Sequence, residues 1–442
     1  QTSQAANPQQ ETNNVREINR LMSQVVKDHH PDIHKVKMPT RLAPKRSWAE
    51  EAKSRIVGGE EESKKPLEIT PEMESELLRP KRMHDSYVEL SLPFSKDPEL
   101  LERYIATSGL IRLGKILEDL DTLAGAISYQ HALGSLPRAG DATAPIFVVT
   151  ASVDRLDLLE PIKANADYRL SGQVIYVGSS SMEVFVCIEQ LGEGGEQNKT
   201  CLTGRFTMAA RNAAKGKSQR IAPLSLETEA EKALFAMGEA HKNRKRAEAA
   251  TSLERVPPTK EEAIELHKQF VQSLNKDGVS SSTDRVVHPA KTQLATTMHM
   301  HPQQRNVHQK VFGGFLMRSA YELAWMVAAS FVQRPVIFLS LDALSFHAPV
   351  PIGAMLSLTS RVTYTTSHQD SNDIAGVSVL AEVVDMETGE RKKSNTFHFS
   401  FDIGESDKKI SPETYKEAME WIEGKRRTEL GVQVRRIYAS DD

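Results

Sequence analysis

Two stretches of this chain follow one pattern: a strand-like segment, a glycine, a long apolar helix, then four further strand-like segments. Gly114 opens the first helix and Gly314 the second. In the first copy Tyr87, Glu89 and Ser91 alternate with Val88, Leu90 and Leu92, the period-two signature of a half-buried strand. Ile116, Leu117, Leu120, Leu123, Ala124 and Ile127 then fall on one helical stripe. Ile146–Val153, Tyr168–Tyr176, Met182–Gln190 and Thr200–Ala209 are β-type, the last two flanking a glycine-rich turn at 192–195. In the second copy Thr292–Met300 is strand-like, and residues 313–331 set Phe315, Leu316, Ala320, Leu323, Ala324 and Val327 on one face. Val336–Phe346, Met355–Tyr364, Ile374–Val384 and Lys393–Asp402 complete it. A repeat of this size predicts two fused α+β domains rather than a solenoid, each a long helix lying across a curved antiparallel sheet.

The length of 442 residues accommodates that plan with segments to spare. The expected organisation is a polar N-terminal extension over 1–84, a first repeat over 85–230 and a charged linker with helical parts over 231–284. A second repeat follows over 285–405, and a C-terminal helical tail over 406–442. The extension is rich in proline and polar residues, with a helix expected near Val15–Lys27. Such a composition buries too little apolar surface to hold itself in order, so the folded body or a partner is expected to hold whatever part is ordered. Fifty-six basic against 59 acidic residues give a net charge of -3, so nucleic acid is not indicated as a partner. No run approaches the roughly 18 apolar residues of a membrane-spanning helix. The two cysteines, Cys187 and Cys201, are expected as free core thiols in a reducing compartment. A start at Gln1 fits either a processed precursor or a chance boundary.

The second helix start carries a reactive signature. Gly313 and Gly314 let a substrate approach the backbone closely, because no Cβ stands in the way. The N–H groups of Gly314 and Phe315 are unsatisfied first-turn donors at the positive end of the helix. They can polarise a carbonyl and stabilise its oxyanion, although a glycine pair can equally serve only to let a helix cross a sheet tightly. The first helix supplies an acid. Asp121 falls on the apolar stripe, where a carboxylate must be paired or desolvated with a raised pKa, as a general base requires. Counted from the helix glycines, Tyr321 takes the place of Asp121 in the second copy. Asn306, eight residues before Gly314, is matched by Ala106 in the first copy. Acid and amide are therefore divided between the halves. His299, His301 and His308 lack acidic or thiol neighbours, so strand-end histidines are expected there rather than a metal site. His347 is a candidate for lining a substrate pocket or for a satisfied core position. The chain has no G-x-S-x-G elbow for a serine nucleophile.

The segments RLGKILEDLDTLAG from Arg112 and HPQQRNVHQKVFGGFLMRSAYELAW from His301 resemble mitochondrial acyl-CoA thioesterases of the acyl-CoA thioesterase 9 type, over about Asp85 to Asp402. That resemblance implies two fused hotdog domains, each a long helix wrapped by an antiparallel sheet, and hydrolysis of acyl-CoA to free acid and CoA. It implies a composite site in which Asp121 and Asn306 act together across the interface, Asp121 either activating water or attacking the carbonyl directly through a transient anhydride, with the Gly314 or Phe315 N–H on the carbonyl oxygen. Ala106 and Tyr321 depart from the family pattern and imply that the second, pseudo-symmetric site is dead. Gly313, Arg305 and Arg318 are the expected contacts to CoA, with surface ion pairing favoured for Arg112. The resemblance further implies a mitochondrial matrix location, no metal or other cofactor, acyl-CoA as the small-molecule partner and a homo-oligomer. The rival reading is a thioesterase-derived accessory subunit, docked into a larger complex through residues 1–80.

Overall fold

The computed structural model describes residues 17–22, 24–25, 67–135, 144–192, 197–250, 252–253, 255–274, 285–304, 310–366 and 372–439. Strand β1 (Val88–Leu92) leads to helix α1 (Leu113–Leu133), then to β2 (Ile146–Val153), β3 (Leu156–Leu158), β4 (Tyr168–Val177), β5 (Ser181–Gln190) and β6 (Lys199–Asn212). Helices α2 (Glu229–Ala250) and α3 (Lys260–Leu274) connect the halves. The second half runs β7 (Leu294–His299), α4 (Gly313–Val332), β8 (Ile337–Leu341), β9 (Leu344–Ser345), β10 (Met355–Thr365), β11 (Asp373–Val384), β12 (Arg391–Gly404) and α5 (Tyr415–Ala439). Each half is a hotdog fold, an antiparallel sheet curled around one long helix.

The sequence dictates why these two helices are central. In α4 the residues Phe315, Leu316, Met317, Ala320, Leu323, Ala324, Val327, Ala328 and Phe331 are all buried, so the apolar surface covers more than a single stripe. Such a helix belongs inside a domain. Burial of each large apolar side chain contributes about 1.5–3 kcal/mol. Helix α1 is built the same way and stops at Gly134, whose φ of 71° is the left-handed conformation that closes a helix.

These twelve strands join into one sheet, in the order β7-β10-β11-β12-β8-β3-β6-β5-β4-β1, with β2 pairing both β6 and β9. The halves meet at two short antiparallel pairings: Leu156 and Asp157 of β3 face Leu341 and Ser340 of β8, and Ser152 and Val153 of β2 face Ser345 and Leu344 of β9. The expected strand over Val336–Phe346 is accordingly broken at Asp342, where the chain changes partners. Arg155 fixes this seam from beneath α5. It pairs with Asp342, with Asp157 at 2.8 Å and with the Ser340 hydroxyl at 2.7 Å, and it reaches the Arg427 carbonyl at 3.1 Å.

The outer faces of the sheet are also covered in duplicate. Helix α2 begins with a capping box: the Thr228 hydroxyl accepts from the Glu231 N–H at 3.2 Å, and Glu231 accepts from the Thr228 N–H at 3.0 Å. Helix α5 repeats it with Thr414 and Glu417 at 3.2 and 3.1 Å. Ten residues after each capping threonine stands a glycine against a tyrosine. A Cβ on Gly238 would lie 2.5 Å from Tyr176 Cβ, and one on Gly424 would lie 2.6 Å from Tyr364 Cβ.

Residues 17–22 and 24–25 of the N-terminal extension are helical, and Ile18, Leu21, Met22 and Val25 are buried against Met83, Ile175, Phe185, Cys187, Ala230 and Leu234. The body of the protein itself holds this segment. The rest of the proposed docking segment up to residue 66 lies outside the described residues. Cys187 and Cys201 are free and buried. Among the described residues no helix is long and apolar enough to cross a membrane.

Candidate active site

Neither central helix carries a side-chain cap at its start: Arg112 and Phe312 occupy the cap positions without capping hydrogen bonds. First-turn N–H groups are thereby left to partners from outside the helix. At α4 the partner is Asp121. The Gly314 N–H donates to Asp121 Oδ2 at 2.7 Å, and the Thr150 hydroxyl donates to Asp121 Oδ1 at 2.7 Å.

Glycine is required on this surface. A Cβ at Gly314 would lie 2.9 Å from Glu118 Cα and 3.0 Å from the Glu118 carbonyl oxygen, so the backbones of α1 and α4 meet directly. A Cβ at Gly313 would lie 3.0 Å from Asp121 Oδ2 and 3.3 Å from Phe346 Cζ. The contact is repeated in reverse at Gly114, where a Cβ would meet Arg318 Cγ at 2.9 Å and Tyr321 Cδ1 at 3.2 Å. The two helices therefore cross about a pseudo-twofold axis that relates Gly114 to Gly314, Glu118 to Arg318 and Asp121 to Tyr321.

Electrostatics separate the two related positions. Asp121 is 1% exposed, and burial pushes its carboxyl up to about 6. The bonds from Thr150 and Gly314 oppose that shift, and the nearby Glu118 carboxylate adds to it. Tyr321 instead packs its ring edge-on to Phe338 and Phe399, at centroid distances of 5.6 and 6.0 Å. The first position holds a desolvated, hydrogen-bonded carboxylate; its counterpart holds a hydrophobic cluster.

The expected site residues are distributed as follows. Asp121, Gly313, Gly314 and Phe315 converge at the helix crossing. Arg318 also lies there and donates to Glu118 Oε2 at 2.8 Å. Arg112 forms an exposed pair with Glu322 at 2.7 Å. Asn306, Arg305 and His308 lie outside the described residues. His299 and His301 stack edge-to-face with ring centroids 4.6 Å apart, and a His299 ring nitrogen lies 3.2 Å from the Gly353 carbonyl. His347 is exposed, and its neighbour Phe346 reaches the site instead, tied to β2 by its N–H to the Ala151 carbonyl at 2.9 Å.

Thr150 is the residue that periodicity does not reveal. It sits on β2 where the register against β6 slips between Thr150 and Ser152, an irregularity of the kind that re-aims a side chain beside an active site. That one position on an ordinary strand carries no signature in composition or spacing.

A carboxylate on one hotdog helix is thus held by the first turn of the helix from the other half. Human acyl-coenzyme A thioesterase 9, mitochondrial, is 35% identical over 354 residues, covering 79% of this chain and 78% of its own length. Mouse acyl-coenzyme A thioesterase 10, mitochondrial, is 33% identical, with 79% of each chain covered. Acyl-coenzyme A thioesterase 2, chloroplastic, of Humulus lupulus is 34% identical, with 76% of each covered. This chain belongs to that acyl-CoA thioesterase family, and its reaction is the hydrolysis of acyl-CoA thioesters. No family profile matches it. Among solved structures, the putative oleoyl thioesterase of Lactobacillus plantarum covers 72% of this chain and 97% of its own, at 9% identity and a TM-score of 0.43. The acyl-CoA hydrolase of Staphylococcus aureus with butyryl-CoA covers 36% of this chain and 96% of its own, at 21% identity and a TM-score of 0.31.

Proposed function

We propose that acyl-CoA is hydrolysed at one composite site per chain, with Asp121 as general base. The observation that carries this reading is the 2.7 Å bond from the Gly314 N–H of α4 to Asp121 of α1. It brings a desolvated carboxylate and a helix-start donor to one point. The thioester carbonyl enters at Gly313, where no side chain blocks the backbone, and its oxygen takes up the N–H of Gly314 or Phe315. Asp121 withdraws a proton from water while the water oxygen bonds to the carbonyl carbon. Charge collects on the carbonyl oxygen, against the positive end of α4. The C–S bond then breaks, and the CoA thiolate leaves with the proton that Asp121 held. Asn306 orients the water or the thioester from the segment before the glycine turn. The step balances without a metal or redox cofactor, so a chelator is expected to leave turnover unchanged.

Arg305 is our candidate for the CoA phosphates; the Arg318 guanidinium is instead engaged by Glu118. We place the enzyme in the mitochondrial matrix, following the mitochondrial names of its relatives. We further take it to be a homo-oligomer, on the strength of the exposed apolar residues Ile264 and Val271 on α3. Protease protection in fractionated mitochondria and sedimentation of the purified chain test these two assignments. The site itself is tested by thiol release from a panel of acyl-CoA esters, comparing the wild type with Asp121→Asn and Asn306→Ala. Unchanged turnover in Asp121→Asn removes the assignment. Calorimetric titration with a non-hydrolysable acyl-CoA thioether is expected to saturate at one per chain; two would show that the Tyr321 position still binds.

A further inference from the structure

We infer that Arg318 is a positioning residue for Asp121, acting through Glu118 across the pseudo-twofold axis. The inference rests on the composite-site reading above and adds a control on its base. Glu118 and Arg318 occupy equivalent positions, each four residues after its helix glycine, and they meet at 2.8 Å. A symmetric homodimer would be obliged to place identical residues there, and two like charges at this spacing repel. Fusion permits an acid on one side and a guanidinium on the other.

The pair is tied to the reacting groups in two ways. Mechanically, the Glu118 backbone is the wall against which Gly314 rests, with its Cα and carbonyl oxygen 2.9 and 3.0 Å from the Cβ position of Gly314. Gly314 in turn donates to Asp121. Drawing Glu118 towards Arg318 therefore sets the spacing of the acid and the glycine turn. Electrically, Glu118 is the charged group that acts on Asp121, and it disfavours the ionised form. Among the described residues, the charges around the crossing are Glu118, Lys115 and Asp119 on α1, and Arg318 and Glu322 on α4. β2 contributes only the uncharged Thr150 hydroxyl. Lys115 reaches the same Glu118 oxygen at 2.8 Å, Asp119 is bonded by the Tyr104 hydroxyl at 2.6 Å, and Glu322 is taken up by Arg112. Arg318 and Lys115 thus share the task of screening Glu118 from the base. Both Arg318 and Glu118 are largely withdrawn from solvent, with side chains 20% and 12% exposed, so water screens the pair weakly.

The signs follow. Loss of Arg318 leaves Glu118 less compensated and makes Asp121 harder to ionise. The acidic limb of the rate profile should move up by about 0.5 pH unit in Arg318→Met, with kcat falling about 1.5-fold at pH 6.5 and about threefold at pH 5, and KM little changed. Glu118→Gln should move the limb down. The double variant Arg318→Met, Glu118→Gln should bring it back below that of Arg318→Met, and Arg318→Lys should restore it towards the wild type. The measurement is kcat and kcat/KM from pH 5 to 8.5 on the full chain, using the best acyl-CoA of the panel and its 3′-dephospho form, with melting temperatures taken in parallel. Limbs that stay in place in both single variants while Asp121→Asn is inactive would overturn this inference alone. A rise in KM for the acyl-CoA but not for its dephospho form would make Arg318 a phosphate contact and also overturn it. Turnover retained by Asp121→Asn would instead bring down the site reading, and this inference with it.

Discussion

Asp121 and Gly314 stand 193 residues apart in the chain and 2.7 Å apart in the structure, joined by a hydrogen bond from a helix-start N–H to a buried carboxylate. Each element is incomplete without the other. The first turn of α4 has no side chain of its own to satisfy that donor, and Asp121 is 1% exposed. The substrate carbonyl competes for the same N–H, and a carboxylate that gives up a donor becomes a stronger base.

Asp121→Asn should therefore separate activity from stability. Turnover should fall by about a thousandfold or more, since the base is lost and the frame retained. Burial holds the carboxyl at about 6 in the folded state, above its ordinary value of 3.8, so above pH 6 the fold carries an ionised buried group. The folded state binds this proton more tightly, and stability therefore declines as pH rises through that window. The uncharged variant should be the more stable at pH 8 by about 1–3 kcal/mol, and the advantage should disappear below about pH 4. Thermal melts at both pH values, set beside thiol-release rates, check both halves of the expectation.

In the wild type, kcat/KM should decline as pH falls through about 6, because the protonated acid cannot accept a proton from water. Thr150→Val removes a bond that favours the ionised form, so its limb should sit at higher pH and its rate at neutral pH should drop roughly tenfold. A pH–rate series on the two proteins decides; coincident limbs would show that the hydroxyl does not support the base.

Gly314→Ala should be among the most damaging single changes. Its methyl group would meet Glu118 backbone atoms at 2.9 and 3.0 Å, which no rotamer can relieve. Forcing the helices apart should cost about 1–3 kcal/mol and abolish turnover even where the protein still folds. Circular dichroism melts and activity assays read these separately.

The two outer helices offer a symmetric test. Gly238→Ala and Gly424→Ala each drive a methyl group into a tyrosine Cβ, at 2.5 and 2.6 Å. Each should lower the melting temperature by several degrees, with nearly additive effects because the sites are far apart. Because neither glycine touches the helix crossing, kcat should change little at 25 °C.

Much of this fold is legible in the residues. The two apolar helices announce themselves because each buries more than one stripe. Asp121 is conspicuous because a carboxylate on an apolar face needs a reason. The strands are placed within a few residues, except at the seam, where β8 gives way to β9 at Asp342 and the short β3 is not anticipated: pairing there is a long-range choice, and local alternation carries no trace of it. The outer helices are harder. Their charged composition resembles that of a linker, and the capping threonine and close-packed glycine that they share are patterns too short to stand out without the duplication. Thr150 is hidden for a related reason, as its role comes from a register slip opposite β6.

The seam formed by β3 with β8 and β2 with β9 has one more consequence. When two separate subunits share a sheet, the partnership dissolves at low enough concentration and any site spanning it vanishes. Here both sides of the seam are on one thread, so each half always finds its partner at a local concentration fixed by the connecting segment. Specific activity should hold constant on dilution far below the range at which a paired assembly would come apart.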